Sequence, residues 1–328
     1  PNRDRLLLDH LSRAGKRMMG FCRSTFFKRI DSSGFSFLLT LYRHILRNCV
    51  FIYAINNKLP LPIGDENSLP DEFQDDDDMN NIFGIDENDP TTKDGKLTIP
   101  TDLNFYMAKA EDYYKFISSK NNVSWLNSVY FKRTLKEKLN KDCEVLIKMI
   151  ALCGSWDSDN DQKINELQKK IEKEHKYDKV LVFTQYSDTA QYIHHELKRR
   201  GMKQIDVCTG NSQNPTAIVT KFSPKSNDNA EMPPSDQTRI LIATDVLSEG
   251  QNLQDAHIIM NFDLPWAIIR LIQRAGRVDR IGQTSEKIIC YSFFPADGIE
   301  NIIDLRKRLQ HRLKEANLAL GGDEIFFE

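Results

Sequence analysis

The second half of the chain alternates short apolar runs with amphipathic stretches. Val180–Thr184, Gln204–Cys208, Arg239–Ala243, His257–Phe262 and Lys287–Phe293 have strand character. Between them, Asp188–Arg200 has helical periodicity, with Tyr192, Ile193 and Leu197 on one side and Gly201 closing it. Thr216–Phe222 reads as a short helix. Ile299–Ala319 reads as a closing helix with Ile302, Ile303, Leu305, Leu309 and Leu313 inward. Ser223–Gln237 is polar, holds Pro224, Pro233 and Pro234, and reads as a long surface loop. This alternation predicts an α/β fold, a mostly parallel sheet covered by helices on both faces. Ligands in such folds bind beyond the carboxyl ends of the strands. Thr184, Thr209, Thr244 and Asp245 fall at such ends.

The first half has a different texture. Asn2–Asn57 reads as helical, with Leu6, Leu7, Leu8 and Leu11 on one face. Phe35–Ile55 is a more apolar helix with Arg43, His44 and Arg47 as polar exceptions. Asp31, Ser32, Ser33 and Gly34 form a break or cap before it. Arg23, Lys28 and Arg29 belong either to a nucleic-acid contact or to a solvated helix face. Leu59–Pro100 carries five prolines and the acidic run Asp75–Asp78, so it reads as a loop rather than packed core. It is either a solubilising insertion or an acidic mimic of phosphate. Helical texture returns over Leu103–Lys176, in Phe105–Ser118, Val129–Ile150 and the charged Lys163–Lys176. Trp125 and Trp156 read as packing residues.

Composition adds little beyond charge distribution. A chain of 328 residues has room for two domains, and its net charge of -2 predicts no partner. The charge is uneven, basic before Pro60 and strongly acidic over Asp65–Asp94. Six cysteines without a CxxC pair fit buried thiols in a reducing, cytoplasmic compartment, and argue against zinc or a disulfide scaffold. No apolar run reaches eighteen residues, so no membrane span is expected. The chain begins at Pro1 rather than Met and reads as a fragment.

The chemistry concentrates in Gln273–Gln283, QRAGRVDRIGQ. If this segment is helical, Gln273, Arg277 and Arg280 share nearby surface. Gly276 and Gly282 flank the arginines. Glycine costs about 1 kcal/mol in a helix interior, so it needs a reason such as close approach to a ligand.

QRAGRVDRIGQ resembles the sixth motif of superfamily 2 helicases, in the form carried by Swi/Snf-type ATPases. Val180–Ala190, VLVFTQYSDTA, resembles the motif opening their second RecA-like lobe. Ile240–Trp266, ILIATDVLSEGQNLQDAHIIMNFDLPW, resembles their fifth motif and the strand after it. Asp279, where many relatives carry His, points to the bacterial polymerase-recycling branch. Ala267 stands where many carry Asn.

The resemblance implies a C-terminal motor lobe of an ATP-dependent translocase on double-stranded DNA. It implies ATP and Mg2+ as cofactors of the whole protein, with none tightly bound to this chain alone. Arg280 would be the arginine finger on the gamma-phosphate, Arg277 its phosphate-contacting neighbour, and Gln273 a residue positioning the motif and its water. Asp245, Gly250 and Gly276 would serve the nucleotide side. Thr184, Gln185, Thr209, Gly210 and Thr244 would serve the nucleic-acid backbone. No GxxxxGK[ST] loop and no magnesium-binding acidic motif follows a strand, so a complete NTPase site is not expected here. The first RecA-like lobe would supply those groups in cis, and RNA polymerase or another protein is a candidate partner. The implied domains are 1–58 near the lobe junction, 59–101 an acidic linker, 102–176 a helical insertion, 177–320 the lobe and 321–328 a tail. An interaction module and an RNA helicase lobe are the alternative readings.

Overall fold

The computed structural model describes residues 25–65, 94–120, 123–131, 134–248, 251–265, 267–304 and 307. Arg23, Gly250, Trp266, the leucines before residue 12, the acidic run, and 305–328 but for residue 307 lie outside the described residues. The chain forms two compact units. One comprises Pro1–Ile30 and Gly34–Asp157, the other Asp31–Ser33 and Ser158–Glu328.

Helix α1 covers 25–32, of which 25–30 belong to the first unit. Helix α2, Gly34–Asn56, packs on α3, Leu103–Ser118, and α4, Thr134–Cys153. Its apolar run buries Leu41, Tyr42, Ile45, Cys49 and Val50 against Tyr106, Ala110, Ile117, Cys143 and Ile150. Asp102 caps α3 by accepting the Asn104 amide at 3.0 Å. Gly34 starts α2 because a Cβ there would lie 2.3 Å from the Trp156 ring. Trp125 packs edge-on against Tyr114, their ring centroids 5.4 Å apart.

The expected loop over Leu59–Pro100 is corrected at both ends. Strand β1, Leu61–Asp65, pairs antiparallel with β3, Val123–Leu126. Its register breaks between Pro62 and Gly64, as a strand carrying proline requires. Strand β2, Lys96–Leu97, pairs with β4, Trp156–Asp157. Pairing with distant strands overrode the local proline signal. Val129 likewise belongs to a short 3-10 turn, Ser128–Tyr130, rather than to α4. Arg29 is buried and so is no solvated cation, while Lys28 is half-buried. The thiols are mixed: Cys49, Cys143 and Cys208 are buried, whereas Cys153 and Cys290 are exposed near a helix end and on an edge strand. Among the described residues no helix is long and apolar enough to cross a membrane.

The second unit is a five-stranded, wholly parallel sheet. Its strands are β5 (Val180–Phe183), β6 (Ile205–Cys208), β7 (Ile240–Ala243), β8 (Ile258–Asn261) and β9 (Ile289–Ser292), in the order β6-β7-β5-β8-β9. The three central strands are buried along their whole length and the edge strands are not. That explains their near-continuous Val/Ile/Leu runs. Alternate residues Leu181, Phe183, Leu241, Ala243 and Ile259 point to one face and pack on Val219, Phe222, Leu247 and Val278. The helices are α5 (Gln162–Lys169), α6 (Ser187–Arg199), α7 (Pro215–Phe222), α8 (Ile268–Ala275) and α9 (Asp297–Ile303).

Helix α5 belongs with this sheet, and the contacts change sides at 157/158 rather than 176/177. Six side chains explain the boundary. Ser158 Oγ donates to the fully buried Glu196 of α6 at 2.8 Å. Arg199 pairs with Glu196 and Asp159. Asp161 caps α5 through the Lys163 and Ile164 amides and accepts from Tyr192 Oη at 2.9 Å.

Candidate nucleotide and nucleic-acid site

The carboxyl ends of β5, β7 and β8 are knitted together by two charged side chains. Asp263 follows β8 and is fully buried. A carboxylate in that position needs donors, and it has three. Thr184 Oγ1 donates to Oδ2 at 2.5 Å, Ser32 Oγ to Oδ2 at 2.6 Å, and the Gln185 amide to Oδ1 at 2.8 Å. Gln185 Nε2 donates to Leu264 O at 3.1 Å, so the first residues beyond β5 are fixed on the first beyond β8.

The second side chain is Arg274 of α8, also fully buried. Its Nε donates to Asp245 Oδ1 at 2.6 Å. Its Nη1 donates to Asn261 Oδ1 at 3.0 Å and to Asp263 O at 3.3 Å. The guanidinium lies 5.1 Å from the Phe183 ring centroid. Arg270 adds a longer contact to Asp245 Oδ2, 3.4 Å. Only a planar fork reaches acceptors beyond both β7 and β8 while stacking on β5, so arginine rather than lysine fits here.

The sixth-motif segment is not one helix. Helix α8 ends at Ala275, and the chain turns through amide bonds from Arg277 to Arg274 O and from Val278 and Asp279 to Ala275 O. The expectation that Gln273, Arg277 and Arg280 share a helical face is therefore corrected. Val278 plugs into the core, with Arg277 before it and Arg280 two residues after it in the turn. Arg280 Nη1 donates to Asn252 Oδ1 at 3.1 Å and Gln251 O at 3.3 Å. Gln283 Nε2 holds the turn closed on Ala256 O and Val278 O. Gln273 and Arg277 are half-buried. Gly282 has φ +102°, a left-handed conformation that accounts for glycine without any ligand. Gly276 caps α8 with an ordinary φ of −64°, and a Cβ there would lie 3.3 Å from Ile272 O.

The other expected residues divide by burial. Thr184, Thr209 and Thr244 stand at strand ends as anticipated, yet all three are buried. Thr184 donates its hydroxyl to Asp263. Gly210 is exposed and Gln185 half-buried. Asp263, Arg274, Ser32 and Asn252 were not anticipated. Two had a visible signal: Asp263 closes an apolar strand, and Arg274 sits one residue into the motif. Ser32 had none, since 231 residues separate it from Asp263.

The stretch that carries this site is similar to known proteins. Residues 162–282 match the family model for the helicase conserved C-terminal domain. That match lies within the five-stranded parallel sheet unit. The chain is similar to an uncharacterized ATP-dependent helicase, YqhH, of Bacillus subtilis, 33% identical over 37% of this chain and 19% of that protein. It is 24% identical to the ATP-dependent RNA helicase DBP3 of Mycosarcoma maydis, over 48% of this chain and 25% of that one. It is 33% identical to the RNA polymerase-associated protein RapA of Vibrio campbellii, over 38% of this chain and 12% of that one. The alignments thus span at most a quarter of these relatives. Among solved structures, the C-terminal part of the Fun30 ATPase domain superposes with a TM-score of 0.38 at 20% identity, covering 60% of this chain and 57% of that one.

Proposed function

We propose that this chain contributes the C-terminal motor lobe of an ATP-dependent DNA translocase of the Swi/Snf type. The supporting observation is the turn after α8. It anchors Val278 in the core, holds Arg280 on Asn252 and Gln251, and follows a helix tied to the residue after β7 by the Arg274–Asp245 pair. In this reading Arg280 and Arg277 face the triphosphate of ATP. Positioned cations stabilise the charge that spreads over the gamma-phosphate oxygens as it passes to water. Arg280 fits the finger role because Asn252 steadies one guanidinium nitrogen. Gln273 helps position the motif, and Asp245 and Gly250 couple nucleotide to nucleic acid. Mg2+ would be held by the phosphates of ATP and a carboxylate of the first RecA-like lobe. Gln185 and Gly210 are the accessible candidates for contact with the nucleic-acid backbone. The partners are double-stranded DNA, a first RecA-like lobe in cis and, by likeness to RapA, RNA polymerase. Residues 1–58 flank the lobe junction, and 59–101 with 102–157 form an accessory insertion.

The test is single-turnover hydrolysis by the longer protein carrying both lobes. Arg280→Ala should lower turnover by about 10³ or more while the protein stays folded. Arg280→Lys should rescue little, because an ammonium lacks the planar fork. A folded Arg280→Ala protein within about threefold of wild type removes the finger assignment and leaves Arg277 as the candidate. RNA is the second reading, favoured by the RNA helicases among the relatives. Competition between duplex DNA and single-stranded RNA for this chain separates the two.

A further inference from the structure

Three residues from the N-terminal half belong to the sheet unit. Asp31, Ser32 and Ser33 cluster with Ser158–Glu328, and all three are buried. Lys163 of α5 holds their backbone, donating to Asp31 O at 2.5 Å and Ser32 O at 3.4 Å while lying over the Phe262 ring.

Proton counting gives the local hydrogen bonds a direction. Ser32 has one hydroxyl proton. It donates to Asp263 Oδ2. The 2.9 Å contact between Ser32 Oγ and Thr189 Oγ1 must then be donated by Thr189. Thr184 spends its one proton on the same Oδ2. A chain of hydroxyls thus runs from Thr189 on α6 through Ser32 to Asp263, where it meets Thr184 and the Gln185 amide. An alanine would fill the space at residue 32, but only a hydroxyl both receives from Thr189 and donates to Asp263. The carboxylate also holds the first two residues beyond β5, so loss of one donor loosens the two that remain.

We propose that Ser32 is a positioning residue that fixes Thr184 and Gln185 through Asp263, and so orients Gln185 for nucleic acid. The nucleic-acid consequence rests on the proposed function; the positioning does not.

Amide exchange on the full 328-residue chain tests the positioning, and binding of a dye-labelled short DNA duplex at low salt tests its consequence. Ser32→Ala should speed exchange at Gln185 and Tyr186 by about five- to tenfold, the worth of one hydrogen bond, and leave Ile242 of β7 unchanged. It should weaken duplex binding several-fold. Ser32→Thr, which keeps the hydroxyl, should recover both. Thr189→Val removes only the outer link and should give a smaller local rise; it carries the test if Ser32→Ala does not fold. Unchanged exchange at Gln185 overturns the proposal, as does an equal rise at Ile242, which marks a merely structural residue. Faster local exchange with undiminished duplex binding overturns the orienting role. If the wild-type chain binds no duplex, the DNA reading fails, and the exchange result alone decides the positioning.

Discussion

Asp31 is a carboxyl group in an unfavourable place. It is 4% exposed, and its Oδ1 has no hydrogen-bond partner. The Lys163 ammonium stands 4.0 Å away. Burial pushes its pKa up to about 7, Lys163 opposes the rise, and the nearby Asp263 and Glu300 add to it. A folded-state pKa above the unfolded value means that the native state binds this proton more tightly. The associated stability is complete below the unfolded value of 3.8, is lost as pH rises through about 7, and is flat beyond. Asp31→Asn removes the titration. Relative to wild type it should gain stability between pH 4 and 8, by up to about 4 kcal/mol. Urea unfolding of both proteins across that range checks this. The slope of the difference matters, since the amide changes packing by a constant amount; a flat difference contradicts the expectation.

The elements were legible where their cause is local. The five strands of the sheet could be read to within about two residues because a buried parallel strand must be apolar throughout. Helices α6 and α7 carry their own signals, the periodic Tyr192, Ile193 and Leu197 in one and Asn214-Pro215 at the start of the other. Asn214 accepts the Ala217 amide at 3.0 Å, with proline at the first helical turn. Strands β1 to β4 were not legible, because each is short and stabilised by a partner far away in sequence, as Leu61 is by Leu126 and Lys96 by Asp157. The motif residues were legible as types but not as geometry. Spacing made Arg277 and Arg280 conspicuous, while Arg274 holds the site together from within. It ties α8 to the residues after β7 and β8, so its removal should be felt by all three elements. Arg274→Ala should cost roughly 3–5 kcal/mol, because a buried guanidinium bonded to Asp245, Asn261 and the Asp263 carbonyl is lost at once. Arg274→Lys should restore less than about half, since one ammonium cannot reach acceptors beyond both strands. Chemical denaturation measures both, and a loss below about 1 kcal/mol for the alanine variant would show the pair to be dispensable.

At the scale of the whole molecule, the chemistry present is one-sided. In the proposed reading the sheet unit offers cations to a polyphosphate, through Arg277 and Arg280. Its sequence contains no glycine-rich loop with a following lysine to cradle phosphates. Its described residues hold no group of three metal ligands. Transition-state charge on a transferring phosphoryl group is stabilised from several directions at once, and one face alone supplies little of that. The purified 328-residue chain should therefore hydrolyse ATP at a rate indistinguishable from buffer, with or without DNA, and bind ATP weakly. Any DNA affinity should fall steeply as salt rises, because cations on phosphate release counterions. Steady-state hydrolysis by the purified chain with saturating DNA, beside a salt titration of duplex binding, checks both. Turnover near one per second that survives repurification and disappears in Arg280→Ala would mean that this chain builds a complete site, and the division of chemistry between two lobes would have to be abandoned.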